Sequence, residues 1–254
     1  MGPPSAVTAA IRRQERASGG WHGAVAGVVL VHGAWHGPWC WELVVPALEE
    51  RGIAVRATEL HRGSLPDDTA AVQADVDALA AGGGSVVVCG HSYGGAVITG
   101  LDPSHLAHLV YLCAFMLDED ETVLDRLTDA PPTALADAMV LSEDNSVFTI
   151  DPDRARRAFY GDCSDDVVAR SIARLRPQAV LPGGESPERI AWRHVPSTYV
   201  VCEADDAAHV DMQRQMSTRA AHTVSWPTAH SPFLSQPQLV VDLLGRLAEQ
   251  PGRP

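Results

Sequence analysis

The pattern of apolar and polar positions from residue 25 onward alternates short β-branched runs with longer amphipathic stretches. The apolar runs cover 25–31, 53–58, 85–89, 108–113, 197–202 and 223–226. Runs of this length that lack a polar side are typical of strands buried on both faces, as in a parallel sheet. Since longer helical patterns separate them, the sequence predicts a doubly wound, mostly parallel α/β sheet.

Three of the intervening stretches predict helices that cover this sheet. One begins near Trp41 and ends before Gly52, a residue suited to the left-handed position that follows a helix. The second has Val72 and Val76 on its apolar side, and the last covers 238–249. We expect all three to pack on the sheet through these apolar sides.

The segment 116–194 interrupts the alternation and is called the cap segment below. It holds helical stretches, proline and glycine punctuation and many charges, but no clear strand. Ser164 followed by two aspartates is typical of a helix N-terminus. An insertion of this kind predicts a helical cap over one edge of the sheet, with a core formed by 25–115 and 195–254.

Composition narrows the class of protein. The chain has 254 residues and a formal net charge of -13, which suits one large domain. An acidic balance without a Lys/Arg cluster argues against nucleic acid and anionic membrane surfaces as partners. Every apolar run is far shorter than the roughly 18 residues of a membrane span. We expect a soluble protein in the cytoplasm, preceded by a flexible tail over residues 1–24.

The cysteines show no pattern of a disulfide framework or a zinc site. Five are present, at positions 40, 89, 113, 163 and 202, with no C-x-x-C pair. We expect buried free thiols, which fit a reducing compartment.

The strongest chemical signal follows the third apolar run directly. It reads Gly90-His91-Ser92-Tyr93-Gly94-Gly95. A G-x-S-x-G motif between a strand and a helix is the nucleophile elbow, in which a strained turn exposes the serine at the edge of the sheet. Ser92 is therefore the predicted nucleophile.

A serine hydroxyl needs a base, and the base needs a third group to orient it. Elbow enzymes order these residues as serine, acid, histidine. His230 follows the run 223–226 and is the predicted base, whereas His222 precedes that run. The acid is expected after the run 197–202, where three carboxylates stand: Glu203, Asp205 and Asp206. Position alone favours the two aspartates and does not choose between them.

An oxyanion produced by acyl transfer needs preorganised N–H donors. The backbone N–H of Tyr93 is one predicted donor, and the loop after the first strand supplies the other at Ala34. Gly33 allows the close backbone approach, and we place His32, Gly33 and Trp35 in the substrate pocket. No acidic residue or cysteine joins the loop histidines at metal-ligand spacing, so no metal is expected.

These residues together resemble the α/β-hydrolase superfamily, and more narrowly the plant methylesterase and hydroxynitrile lyase group with its bacterial esterase relatives. The resemblance rests on HGAWHGPWCW at 32–41, GHSYGG at 90–95 and AHSPFL at 229–234. In that group the catalytic acid lies eight residues before a glutamine on the next helix. Gln213 then implies Asp205 as the acid.

The chain also departs from part of this group. The stretch FYGDC at 159–163 resembles bacterial members. Hydroxynitrile lyases of the group have threonine and lysine where this chain has Gly33 and Ser231. A lysine beside the base would stabilise a cyanide leaving group, so its replacement argues for the esterase branch.

The resemblance implies a serine hydrolase that cleaves a small or medium ester, thioester or lactone through an acyl-enzyme on Ser92. It implies no cofactor and a small-molecule substrate, and it leaves the oligomeric state open, a homodimer included. Two alternatives stay open. One is a non-hydrolytic enzyme on the same scaffold, such as a lyase, a cyclase or an enzyme of carbon–carbon bond chemistry. The other is a ligand-binding receptor that keeps a hydrolase scaffold.

Overall fold

A six-stranded parallel sheet forms the centre of the computed structural model, which describes residues 24–249. Its strands are β1 (Val25–Val31), β2 (Val55–Thr58), β3 (Ser85–His91), β4 (Leu106–Leu112), β8 (Ser197–Cys202) and β9 (His222–Trp226). They lie in the order β2-β1-β3-β4-β8-β9, and every neighbouring pair is parallel. The predicted doubly wound sheet is confirmed.

Helices cover both faces of the sheet. They are α1 (Val45–Glu49), α2 (Leu65–Ala80), α3 (Tyr93–Thr99), α8 (Val210–Ser217), α9 (Pro232–Ser235) and α10 (Pro237–Glu249), with short 3-10 helices at Pro38–Trp41 and Pro103–His105. The single helix predicted from Trp41 onward is wrong in its first half, since a 3-10 turn precedes α1. Pro46 lies in the first turn of α1, where its missing N–H costs nothing.

The core has two parts because the strands are buried on both faces. Val28 and Leu30 of β1 pack with α1 and α10 in one apolar cluster, whereas Val29 and Val31 pack with α2 and α3 in the other. Successive strand residues point to opposite faces, so a continuous apolar run supplies both clusters. This is the physical reason for the pattern seen in the sequence.

The cap segment combines helices with a small sheet. Its helices are α4 (Val123–Asp129), α5 (Ala134–Ala138), α6 (Pro152–Phe159) and α7 (Asp165–Ile172), with 3-10 turns at Leu181–Gly184 and Ala191–Arg193. Its antiparallel strands are β5 (Met139–Leu141), β6 (Val147–Ile150) and β7 (Gln178–Ala179).

The expectation of no strand in the cap segment was therefore wrong. These strands have two to four residues and are partly exposed, which is too short for a periodic signal. Ser164 does precede α7, as predicted, but its hydroxyl makes no capping bond.

Three further expectations concern the whole chain. The predicted tail 1–24 lies, except for its last residue, outside the described residues. Within residues 24–249 no helix is both long and apolar enough to cross a bilayer. All five cysteines are free and buried, as expected.

Candidate active site

Ser92 occupies a strained turn between β3 and α3. Its backbone has φ 51° and ψ -121°, a conformation that is costly for a residue with a side chain. The turn also needs close backbone contacts. A Cβ at Gly90 would lie 2.5 Å from the carbonyl oxygen of Gly94, and a Cβ at Gly94 would lie 2.7 Å from that of Val31. The glycines of the motif therefore permit the elbow, in which Ser92 keeps 9% of its surface exposed.

His230 and Asp205 meet at the carboxyl ends of the last two strands. Nδ1 of His230 lies 2.8 Å from Oδ2 of Asp205, and both residues are buried. A carboxylate only accepts hydrogen bonds, so Nδ1 carries the hydrogen and Nε2 keeps the lone pair that a general base needs. His222 is exposed at the start of β9, as expected from its position.

Asp205 is held by a full set of donors. Its Oδ1 accepts from the backbone N–H groups of Ala207 at 2.8 Å and Ala208 at 2.9 Å. Its Oδ2 accepts from Nε2 of Gln213 at 2.8 Å, in addition to His230. These bonds orient the carboxylate toward the imidazole, and Gln213 lies where the family resemblance placed it.

The other two candidate acids point elsewhere. Asp206 accepts from Nε of Arg157 at 2.8 Å and from the backbone N–H of Ala134 at 3.0 Å. Glu203 accepts from Arg214 at 2.5 Å. Both carboxylates form contacts near the surface. Of the three candidate acids, Asp205 is the one that lies next to His230.

The loop after β1 lies beside the elbow because β1 and β3 are neighbours. A Cβ at Gly33 would lie 2.9 Å from Cβ of Ser92. The Gly33 carbonyl accepts from Nδ1 of His32 at 2.8 Å. Since a peptide is planar and trans, the Ala34 N–H of the same peptide points the opposite way. The N–H of Tyr93 lies in the first turn of α3, where no carbonyl one turn earlier can accept it.

The three predicted pocket residues have different surroundings. His32 is fully buried, and its Nε2 accepts from the backbone N–H of Leu60 at 3.1 Å. Trp35 donates from Nε1 to the carbonyl of Phe148 in β6 at 3.0 Å. Both side chains therefore brace the loop, whereas Gly33 approaches Ser92 directly.

Two further histidines near the site are neutral. His36 donates from Nδ1 to the Ala34 carbonyl at 2.9 Å, and its Nε2 lies 2.9 Å from the hydroxyl of Tyr160. Burial lowers the pKa of His36 to about 3. Burial also holds the pKa of His91 well below its ordinary value. With both nitrogens occupied, His36 is a structural residue rather than a metal ligand.

His91 and Cys113 contact the base through its backbone, which sequence reasoning missed. Nε2 of His91 donates to the His230 carbonyl at 2.9 Å, and Sγ of Cys113 lies 3.5 Å from the same oxygen. In residues 24–249 the side chains of His91, Cys113 and His230 form a group that could hold a metal, with ligand atoms within 4.8 Å of one another. The two hydrogen bonds to the His230 carbonyl explain why these side chains lie together. No sequence signal could reveal it, since it depends on the path of the loop after β9.

Tyr93 has a second contact that the sequence did not indicate. Its hydroxyl donates to Oδ2 of Asp68 at 2.8 Å, and Asp68 is fully buried in the first half of α2. Burial, with the Asp68 charge, raises the pKa of Tyr93 well above its ordinary value. The neutral phenol therefore ties the residue after the nucleophile to α2.

This combination of elbow, histidine and carboxylate agrees with a comparison against known families. The model of the alpha/beta hydrolase family matches residues 28–243. The chain belongs to the alpha/beta hydrolase family. The match covers the whole sheet except the first residues of β1, and it includes the cap segment.

Individual members of the alpha/beta hydrolase family resemble this chain along most of its length. Pyrethroid hydrolase of Sphingobium wenxiniae is 27% identical, over 89% of this chain and 89% of its own. Methylesterase 1 of Arabidopsis thaliana is 26% identical, over 87% of this chain and 95% of its own. The crystal structure of a pyrethroid hydrolase from Sphingobium faniae JZ-2 has a TM-score of 0.78 at 26% identity, and the match covers 90% of this chain and 99% of that one. These relatives support an enzyme of the alpha/beta hydrolase family with an esterase-type function.

Proposed function

We propose that this protein is a serine esterase whose nucleophile, base and acid are Ser92, His230 and Asp205. The 2.8 Å bond from Nδ1 of His230 to Asp205 carries this proposal. It fixes the neutral tautomer whose Nε2 can accept the proton of a serine hydroxyl. The strained elbow supports the same assignment, because strain is stored at a serine that reacts.

In the first half of the reaction, Oγ of Ser92 forms a bond to the carbonyl carbon of the ester. Nε2 of His230 takes the hydroxyl proton, and Asp205 stabilises the imidazolium. The carbonyl electrons move to oxygen, which accepts hydrogen bonds from the N–H groups of Ala34 and Tyr93. When the carbonyl re-forms, the bond to the alcohol oxygen breaks and His230 protonates the leaving group.

In the second half, water replaces the alcohol. His230 takes a proton from water as its oxygen attacks the acyl carbon, and the same two N–H groups hold the second oxyanion. Collapse breaks the bond to Oγ, His230 returns the proton to Ser92, and the acid leaves. Each step uses groups of this chain, so the reaction needs no cofactor.

An apolar cavity beside the acid loop supports a substrate with an apolar group. It has a volume of about 190 Å³ and lies between α4, α5 and the residues that follow Asp205. Its apolar lining includes Leu124, Leu127, Pro131, Leu135, Met139 and Ala207. Since the N–H of Ala207 binds Asp205, the cavity lies beside the loop of the proposed acid. We assign it to the acyl chain or the alcohol chain of a small or medium ester.

Gly33 supports hydrolysis over the cyanogenic alternative. A side chain at this position would bring its Cβ to 2.9 Å from Cβ of Ser92. The threonine of hydroxynitrile lyases therefore does not fit this loop as it stands. The glycine lets the loop of Ala34 pack directly against Ser92.

Fluorophosphonate labelling followed by intact mass tests the proposal, together with turnover of p-nitrophenyl acetate and butyrate. We expect the wild type to be labelled and to cleave both esters, and Ser92→Ala to do neither. Labelling without ester turnover would replace hydrolysis with the non-hydrolytic alternative. A wild type that takes no label would refute the activated serine.

A further inference from the structure

The loop that carries Ala34 is held from outside by the cap segment. Arg176 makes two of these contacts. Its backbone N–H donates to the Trp35 carbonyl at 2.8 Å, and its Nη2 donates to the His36 carbonyl at 2.7 Å. The same Nη2 lies 2.7 Å from a carboxylate oxygen of Glu59. One cap residue thus binds two consecutive carbonyls of the loop.

The carbonyls on the N-terminal side of the loop are bound by the loop's own side chains. His32 donates to the Gly33 carbonyl and His36 donates to the Ala34 carbonyl, at 2.8 and 2.9 Å. On the C-terminal side Arg176 binds both carbonyls, and Nε2 of His61 also donates to the His36 carbonyl, at 3.0 Å. Because each peptide is planar, a bound carbonyl also sets the direction of the N–H in the same peptide.

Trp35 makes the loop dependent on such contacts. Its φ is 61°, in the left-handed region that a bulky side chain avoids. A residue in this region keeps its conformation only when the surrounding structure holds it there. The Trp35 carbonyl shares its peptide with the His36 N–H, which donates to the Gly33 carbonyl at 3.4 Å. Relaxation at Trp35 would therefore move the Gly33–Ala34 peptide, which carries the Ala34 N–H.

The position of the Arg176 guanidinium is determined by Gly37 and Glu59. A Cβ at Gly37 would lie 2.9 Å from Nη2 of Arg176, so glycine leaves the space that the guanidinium occupies. Glu59 keeps its negative charge at ordinary pH, since the nearby His32 and Arg176 lower its pKa to about 2. The exposed ion pair adds little stability, but it orients the guanidinium toward the loop.

We propose that Arg176 is a positioning residue for the oxyanion hole: its bonds to the carbonyls of Trp35 and His36 keep the N–H of Ala34 aimed at the reacting oxygen. This inference rests on the proposed esterase function. It gives the cap segment a part in the chemical step, through a residue that does not touch the substrate.

Arg174 supplies a matched control. It lies two residues away in the same stretch and donates to Glu42 at 2.7 Å, with its guanidinium 4.4 Å from the ring centre of Trp39. Its side chain is 39% exposed, as is that of Arg176. Both arginines therefore connect the cap segment to the core and are equally exposed. Of the two, Arg176 binds carbonyls of the Ala34 loop and Arg174 binds Glu42 instead.

The experiment compares Arg176→Gln with Arg174→Gln in the full chain. Arg176→Gln removes the guanidinium bond to the His36 carbonyl and keeps the backbone N–H on the Trp35 carbonyl. The readouts are the rate of fluorophosphonate labelling, kcat and KM for p-nitrophenyl butyrate, and the Ki of an alkyl trifluoromethyl ketone. That ketone forms a hemiketal oxyanion on serine. For Arg176→Gln we expect labelling, kcat and ketone affinity to fall together by about tenfold, less than the loss of a whole oxyanion donor. We expect KM to stay within about twofold, because the ground state makes few of these contacts.

The outcomes separate this inference from the proposed function. An unlabelled wild type would refute the esterase, whereas a labelled wild type with equal rates in the two glutamine variants would refute the role of Arg176 alone. A fall in melting temperature without a change in ketone affinity would also refute it. Arg176→Lys keeps a donor and is the second variant. If Arg176→Gln does not fold, Arg176→Lys gives the answer. A ketone affinity below that of the wild type, by up to about tenfold, supports the role of Arg176. A ketone affinity equal to that of the wild type contradicts it.

Discussion

Asp162 binds the backbone of Ala229, the residue that precedes the proposed base. Its Oδ2 accepts from the Ala229 N–H at 3.0 Å and from the hydroxyl of Ser235 at 2.9 Å. Asp162 follows α6 in the cap segment, and the ring of Phe159 at the end of the same helix lies 5.8 Å from the ring of His230. The cap segment thus contacts the base loop as well as the loop of Ala34.

Removal of the Asp162 carboxylate should loosen the base loop. We expect Asp162→Ala to lower kcat for p-nitrophenyl butyrate by roughly 3- to 10-fold, because a misplaced base loses much of its effect. We expect a loss of about 1–2 kcal/mol of stability from a charge-assisted bond. Ser235→Ala is the control, since it removes the other partner of Oδ2 and leaves Ala229 bound. Equal kcat in the two variants would contradict the prediction.

Substitution of Asp205 and of Asp206 distinguishes the two candidate acids that position in the sequence alone left open. In Asp205→Asn an NH₂ group replaces one carboxylate oxygen. Since this group cannot accept hydrogen bonds, one or more of the donors around Asp205 lose their acceptor. The tautomer of His230 is then wrong, and we expect kcat to fall by about 10³–10⁴-fold. Asp206→Asn should keep kcat within about threefold, as its partners are Arg157 and Ala134 near the surface. Steady-state kinetics on both variants decides the matter, and a larger loss in Asp206→Asn would reverse the assignment.

The apolar cavity predicts a dependence on chain length. Ala136 is exposed on α5 and lines the cavity, so Ala136→Trp should fill it without disturbing the core. We expect kcat/KM for p-nitrophenyl octanoate to fall about tenfold relative to the acetate, as each methylene buried is worth about 0.8 kcal/mol. Asp137→Trp, on the same helix and not among the lining residues, should leave the ratio unchanged. An unchanged ratio in both variants would place the chain of the ester elsewhere.

The buried His36 predicts acid lability. Burial lowers its pKa from 6.5 to about 3 in the folded state, so at intermediate pH the unfolded chain binds a proton that the folded chain does not. Stability should therefore be complete above pH 6.5 and fall as the pH drops toward 3, by at most about 1.4 kcal/mol per pH unit for one proton.

Urea unfolding at several pH values measures this effect. His36→Gln lacks the titrating group, and we expect its stability to fall less steeply between pH 6 and 4. His91 contributes in the same direction, since burial also lowers its pKa, so part of the acid lability should persist in the variant. Equal slopes in the wild type and in His36→Gln would contradict the assignment to His36.

Much of the site could be predicted from local sequence because local geometry determines it. The elbow at Ser92 needs a strand, two close glycine contacts and a helix, and all of these lie within one short stretch of chain. The loop of Gly33 could be placed beside it because consecutive elements of a parallel sheet follow a small set of topologies. His230 followed from chain order. The acid needed the resemblance as well, since position alone left more than one carboxylate.

The cap segment shows why the rest could not be predicted. Strands β5, β6 and β7 are short and partly exposed, so their existence depends on pairing between residues up to about thirty positions apart. The contacts of Arg176, Asp162 and His91 with the catalytic loops are equally non-local. The periodicity of apolar residues does not indicate which distant side chain will contact a given loop in the folded protein.

The sequence by itself predicted the sheet and the positions of the proposed nucleophile and base, because hydrophobic periodicity and turn chemistry act over a few neighbouring residues. Position in the sequence left Asp205 and Asp206 open, the family resemblance implied Asp205, and the tertiary structure brings Asp205 to His230. Tertiary structure alone decided that the cap segment holds both the Ala34 loop and the base loop. Those choices rest on hydrogen bonds between distant segments, such as Arg176 to His36 and Asp162 to Ala229. Such bonds exist only once packing has brought the segments within about 3 Å of each other.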